Sequence, residues 1–229
     1  FSDRMKLLPL LLIASLLSIA TSCTDRTDPH QEALEELDRI IERRDVYGRM
    51  KSCRIEEHRQ ELAATKDPHK RIALLEEIYK EFYNYDVDSA YNYARRMLAQ
   101  AQCCNARPLI NRARVYLAKT VLDGGMYGEA FRILHQVDTT SLTPENMSEY
   151  YNVYRSYLSK QLSGVDPALK ARYQDSLQLY NVLRIRNLPE GSVLRKELET
   201  MLLSNAGHPE KALELLLPVY EAGIDDVHL

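Results

Sequence analysis

The chain has 229 residues, room for one or two globular domains or one modest repeat array. Its 30 Lys and Arg against 33 Asp and Glu leave a net charge of −3, which removes any whole-chain electrostatic case for nucleic acid. With 8 Gly, 9 Pro, 3 Phe and no Trp beside 15 Tyr, the composition has few helix breakers and favours an all-helical chain over a β-rich one.

After "FSDR", which reads as an upstream mis-start or added residues (1–4), Met5-Lys6 opens the run "LLPLLLIASLLSIATSC". A basic start, a short apolar core and a small-residue exit describe a signal peptide over 1–23. The core is short for a membrane span and holds Pro9. "Ala20-Thr21-Ser22-Cys23" fits two processing outcomes. It resembles a bacterial lipoprotein box that lipidates Cys23, with Ala20 where Leu is usual; it also suits ordinary signal-peptidase cleavage after Ser22. The lipoprotein reading is preferred because 24–30 continues as a polar tether. Either outcome exports the chain, to the periplasm or to a lipid anchor on a bacterial membrane.

One long helix is expected over 31–66. Leu34, Ile41, Gly48, Ile55 and Leu62 recur every seven residues, with Leu37, Ile40, Tyr47 and Met50 on the same broad face. Arg44 and Lys51 interrupt the second seam, so a helix packed on the next pair is preferred to a self-associating dimer arm.

Asp67-Pro68 gives the next start signal, an aspartate cap with proline in the first turn. The helix after it carries Ile72, Leu75, Ile78, Tyr79 and Phe82 on one face. Asp88 can cap its successor, whose inner stripe is Ala90, Tyr91, Ala94, Met97 and Leu98. A third helix opens at Pro108 and stops at Gly124-Gly125, and "YGEAFRILHQV" returns. Further helices are expected over 145–162, 167–183, 193–205 and 209–222. The residues from 224 read as the opening of another helix in a truncated chain.

The return helices superimpose. "DVDSAYNYARRML", "GMYGEAFRILHQV", "RYQDSLQLYNVL" and "GHPEKALELLLPV" align on a small residue (Ala90, Ala130, Ser176 and Ala212), followed four positions later by Leu134, Tyr180 and Leu216 in the last three and by Ala94 in the first. "LAKTVLDGGMYGEAFRILHQV" and "LETMLLSNAGHPEKALELLLPV" resemble tetratricopeptide-repeat units. In that family a glycine closes the first helix and a small Ala lets the second lie against it. Gly125, Tyr127, Ala130 and Leu134 match in one unit; Gly207, Ala212 and Leu216 match in the other, with Pro209 where the aromatic is usual. The unit of Ser176 is degenerate, with an insertion near "SGVDPALK". The resemblance covers 67–223 and implies an all-α, TPR-like right-handed solenoid of antiparallel helix hairpins.

More narrowly, "LEELDRIIERRDVYGRMKSCRIEEHRQEL", "LLEEIYKEFYNYDVDSAYNYARRML" and "GMYGEAF" resemble the N-terminal half of an uncharacterised family of exported Bacteroidetes regulatory proteins. Its members continue into a transmembrane helix and a cytoplasmic region.

Chemistry finds little support. No phosphate-binding, dinucleotide, nucleophile-elbow or H-E-x-x-H motif occurs, so neither a catalytic residue nor a cofactor is assigned. The six histidines are scattered, and Cys53, Cys103 and Cys104 have no metal spacing, so no metal is expected; the thiols are read as small buried or half-buried groups. Glu-Glu pairs such as Glu76-Glu77 read as solvated outer faces, and Arg107, Arg112, Arg114, Arg184 and Arg186 as counterweights to the acidic helices. Tyr150, Tyr154 and Tyr157 share one helical stripe and are the candidate partner-binding residues, with repeat core as the competing role. The expected function is therefore a non-enzymatic exported scaffold or sensory domain that binds a protein or peptide and no nucleic acid. The alternative is the periplasmic input half of a membrane-bound transcriptional or signalling regulator.

Overall fold

The computed structural model describes residues 29–221, so the signal segment, Cys23 and the last eight residues lie outside it. All regular structure among the described residues is helical. Ten α-helices run as α1 Pro29–Glu42, α2 Arg44–Ala64, α3 Pro68–Tyr83, α4 Val87–Cys103, α5 Arg107–Asp123, α6 Tyr127–Leu134, α7 Pro144–Gln161, α8 Pro167–Arg186, α9 Val193–Asn205 and α10 Pro209–Glu221.

The starts are chemically specified. Asp67, Thr143 and Asp166 each accept a hydrogen bond from a first-turn N–H and are each followed by proline. Asp86, rather than the expected Asp88, caps α4 by accepting from Ser89 N at 3.0 Å, and Ser192 caps α9. A cap of this kind contributes about 1 kcal/mol, because it satisfies a donor that the helix leaves orphaned.

The ends are specified too. Gly125 has φ +81° and Gly207 φ +80°. After α5, Met126 N donates to Val121 O and Gly125 N to Leu122 O, both at 3.0 Å; after α9, His208 N and Gly207 N repeat the pattern onto Leu203 and Ser204. This is the Schellman closure, which needs one left-handed residue. That residue is Gly125 alone: Gly124 has φ −71°, a value open to any residue. Asn105, at φ 50°, closes α4 in the same way and has no glycine to announce it.

These turns fold the chain back on itself, so that α3–α4, α5–α6, α7–α8 and α9–α10 are four antiparallel pairs. Alanines set the approach. Ala90, Ala94 and Ala101 on α4, Ala113 and Ala118 on α5, and Ala130 on α6 are all 0% exposed. Ile72, Ile78, Met97, Val115, Val121, Leu122 and Leu134 fill the space between them. This core continues from Ile55 through Val153, and a smaller cluster of Ile185, Leu188 and Leu198 serves the later helices. The degenerate third pair has a 3₁₀ turn at Leu162–Gly164, where the insertion was expected.

The N-terminal segment departs from expectation. The single helix over 31–66 is two helices that meet at Arg43. The chain also divides at residue 53 into two compact units. In the second unit Ile55 and Leu62 are buried, and Arg54 and Arg59 bond Glu81 and the Tyr93 hydroxyl. In the first, Leu34, Leu37, Ile40, Ile41, Tyr47 and Met50 are exposed, so the seven-residue stripe becomes core only over its last two members.

Candidate protein-interaction face

Helix α5 lies at the centre of the second unit, packed against α4, α6 and α7. Among its half-exposed residues Arg112, Tyr116 and Lys119 form a stripe, continued at its exposed end by Asp123; the spacings of four, three and four residues align them on one helix face. On this face the first helices of three successive pairs, α3, α5 and α7, meet through side chains.

Glu76 of α3 is the first anchor. It is 7% exposed, pairs with Arg112 at 2.7 Å and accepts from the Tyr116 hydroxyl at 2.9 Å, while Lys80 approaches at 3.3 Å. The expectation that Glu76 is a solvated outer-face charge is thus corrected. On the helical wheel it shares the face of Ile72 and Tyr79, whereas its neighbour Glu77 is exposed. The rings of Tyr79 and Tyr116 stack at 4.9 Å, and the Tyr83 hydroxyl donates to Asp123. Lys119 then links forward: its ammonium lies 4.0 Å from the centre of the Tyr83 ring and 2.6 Å from Glu149 of α7. Asn152 donates to the same carboxylate at 3.4 Å.

Burial first, and then the neighbouring carboxylate, holds the Tyr83 and Tyr116 phenols far above their ordinary range; burial does the same for Tyr79. They are neutral donors and flat apolar surfaces at any physiological pH. The face therefore offers both charges, hydroxyls and rings held in fixed positions, which suits recognition of a polar, partly aromatic surface. Among the described residues no three His, Cys, Asp or Glu gather as a cation site, and no helix is long and apolar enough to cross a membrane.

A family model described as the SusR N-terminal TPR domain matches residues 41–228. The chain belongs to this family. No curated protein and no solved structure matches it significantly.

Within this SusR-type TPR domain the repeat-defining residues serve as joints. Ala90, Ala130 and Leu134 are wholly buried, Ala212 is buried, Tyr127 and Leu216 are half-buried, and Gly125 and Gly207 form the left-handed turns. Ser176 is half-buried and its hydroxyl donates to Arg172 O of its own helix. The tyrosine stripe has a packing role. Tyr150, Tyr154 and Tyr157 are half-buried against the main core; Tyr157 stacks on Phe131 of α6 at 5.2 Å, and Tyr154 on Tyr180 of α8 at 5.5 Å. They knit the third pair to the second. The thiols also differ from expectation, since Cys53 and Cys103 are exposed and only Cys104 is half-buried.

Sequence reasoning missed the Glu76–Arg112–Tyr116 group. The available signal was the position of Glu76 inside an otherwise apolar stripe, which places a carboxylate where only a partnered one is tolerated.

Proposed function

We propose that this chain is the partner-binding input region of a SusR-like regulator, acting without catalysis at the outer side of a bacterial membrane after export. A TPR domain joins helix pairs into a stack whose first helices present a continuous surface to a partner. The observation that carries the reading is the set of cross-pair contacts Glu76–Arg112–Tyr116 and Tyr83–Lys119–Glu149, which fixes the groups on that surface in the family whose description is an N-terminal domain of SusR. A protein or peptide is the partner class such a face favours. Tyr150, Tyr154 and Tyr157 contribute through their accessible edges and through the rigidity they give the third pair. The signal segment and a lipidated Cys23 supply the membrane attachment in this reading, and the exposed apolar residues of α1 offer self-association.

In cells, Lys119→Glu reverses the charge at the centre of the face. The expected result is a transcript profile that matches deletion of the gene, with normal protein level and melting, and with Lys119→Met intermediate. A wild-type profile in the folded Lys119→Glu variant overturns the reading. The second reading is a stand-alone exported scaffold, favoured by the polar tether after Cys23. Sequencing the genomic frame beyond Leu229 separates the two: a frame continuing into an apolar helix of membrane length supports the regulator, and an immediate stop supports the scaffold. Unchanged palmitate labelling in Cys23→Ala would remove the lipid anchor from either.

A further inference from the structure

The third pair buries positive charge that no described residue neutralises. Arg184 of α8 is 7% exposed, a value typical of core aliphatics. Its Nε is shielded from solvent and has no hydrogen-bond partner among the described residues, and the same is true of Nε in Arg155, on the facing helix α7. Neither arginine has an ion-pair partner among the described residues. One turn before Arg184, Asn181 is also 7% exposed and its Oδ1 is unpartnered.

Arginine keeps its proton at any physiological pH, so burial cannot be relieved by neutralisation. The two guanidiniums also lie within each other's field. Burial first, and then the charge of Arg155, depresses the proton affinity of Arg184, and the Glu149 carboxylate opposes this. Glu149 is already committed: Lys119 holds it at 2.6 Å and Asn152 bonds both its oxygens. A buried guanidinium in the field of a second, half-buried one, each with a shielded and unpartnered Nε, is costly to a domain that makes no other use of them, as is the unpartnered Asn181 Oδ1. They become favourable when an anion enters.

We infer that Arg155, Asn181 and Arg184 form a binding site for a phosphate-class dianion between α7 and α8. The charge argues for a dianion, because a single carboxylate would leave one guanidinium uncompensated. The guanidinium fork matches the tetrahedral oxygens of phosphate through paired N–H donors. The Asn181 amide can turn its NH₂ to a third oxygen. Free phosphate and a phosphomonoester share this chemistry. The site shares none of its three residues with the interaction face proposed above and stands whether or not that face binds a protein.

The test is calorimetric titration of the full chain with sodium phosphate at pH 8, against sodium chloride at equal ionic strength, beside glycerol phosphate and acetate. The expected result is saturable 1:1 binding of a phosphate species, with a thermal midpoint that rises and then levels off. The tighter of the two phosphates identifies the source. Arg184→Met and Arg155→Met keep the apolar stem and are expected to weaken binding at least tenfold. In phosphate-free buffer these variants should melt no lower than wild type, since each removes the repulsion; a lost response is then distinguishable from a lost fold. Arg155→Lys keeps charge without the fork and should bind weakly, and Arg95→Met, on α4, should bind normally. Absence of saturable binding, binding unchanged in Arg184→Met, or acetate binding as tightly as phosphate would overturn the site.

Discussion

Replacing Gly125 and Gly124 in turn with alanine separates two neighbours that look alike in the sequence. At Gly125 the backbone sits at φ +81°, and the added Cβ meets no atom within 4 Å, so the whole effect is backbone strain. A left-handed residue bearing a Cβ costs about 1–2 kcal/mol. The stiffer unfolded chain returns roughly 0.4–1 kcal/mol of that. The net expectation is a loss of about 1 kcal/mol. At Gly124, with φ −71°, the Cβ would lie 3.5 Å from Thr120 O and Val121 O, an ordinary contact. Only the unfolded-state term remains, a gain of roughly 0.4–1 kcal/mol. The two alanine variants should therefore differ by about 1.5–2 kcal/mol and move in opposite directions, or about 3–8 °C in midpoint for a chain of this size. Urea denaturation followed by far-UV circular dichroism, with thermal melts beside it, measures the difference. Equal destabilisation of both variants would refute the assignment of the left-handed turn to Gly125.

Other perturbations probe different links. Glu76→Ala strands the partly buried Arg112 and the Tyr116 hydroxyl and should cost about 2–4 kcal/mol, while Glu76→Met with Arg112→Met should recover most of it; a double variant no more stable than the single shows that the pair is not the cause. Ala130→Leu overfills a site with 0% exposure and should cost about 1–3 kcal/mol, whereas Ser176→Ala in the degenerate unit should stay within about 0.5 kcal/mol by the same denaturation. Acid titration has a definite sign. Hydrogen bonds from Ser89 hold Asp86, and from Thr140 hold Asp138, below the ordinary 3.8, so their contribution is present above that value and lost as pH falls through the lower folded value; melts between pH 6 and 2.5 should show a shallower acid loss in Asp86→Ala with Asp138→Ala. In a Cys23→Ala background two thiols, Cys53 and Cys103, should react rapidly with a disulfide reagent and Cys104 slowly; a single fast thiol contradicts the exposures.

Local signals in the sequence specify most of the architecture. An aspartate or threonine ahead of proline needs only its own first turn to act as a cap, so helices from Pro68, Pro144 and Pro167 were readable. Gly125 and Ala130 lie within six residues of each other and together specify a hairpin. What escaped depends on partners far along the chain or on tertiary burial. Asn105 takes the left-handed role of a glycine, which its residue type permits without requiring. The break at Arg43 follows no proline or glycine. Glu76 and Arg112 belong to different pairs, and only stacking brings them to 2.7 Å. Arg184 reads as a counterweight to the acidic helices because arginine is usually exposed; its burial is a tertiary outcome that no local signal announces. Tyr150, Tyr154 and Tyr157 share one stripe by their spacing, yet periodicity alone does not say whether that stripe meets a partner or the neighbouring helix.

The central claim is that the shared face of α3, α5 and α7 meets a partner. Site-specific photo-crosslinking tests it most directly. A photoreactive phenylalanine is placed at Tyr116 on the face, and separately at Arg95 on the exposed side of α4. The account predicts a discrete adduct from position 116, absent from position 95 and lost when Lys119→Glu is added. An adduct of equal yield from both positions, or one from position 95 alone, would contradict it.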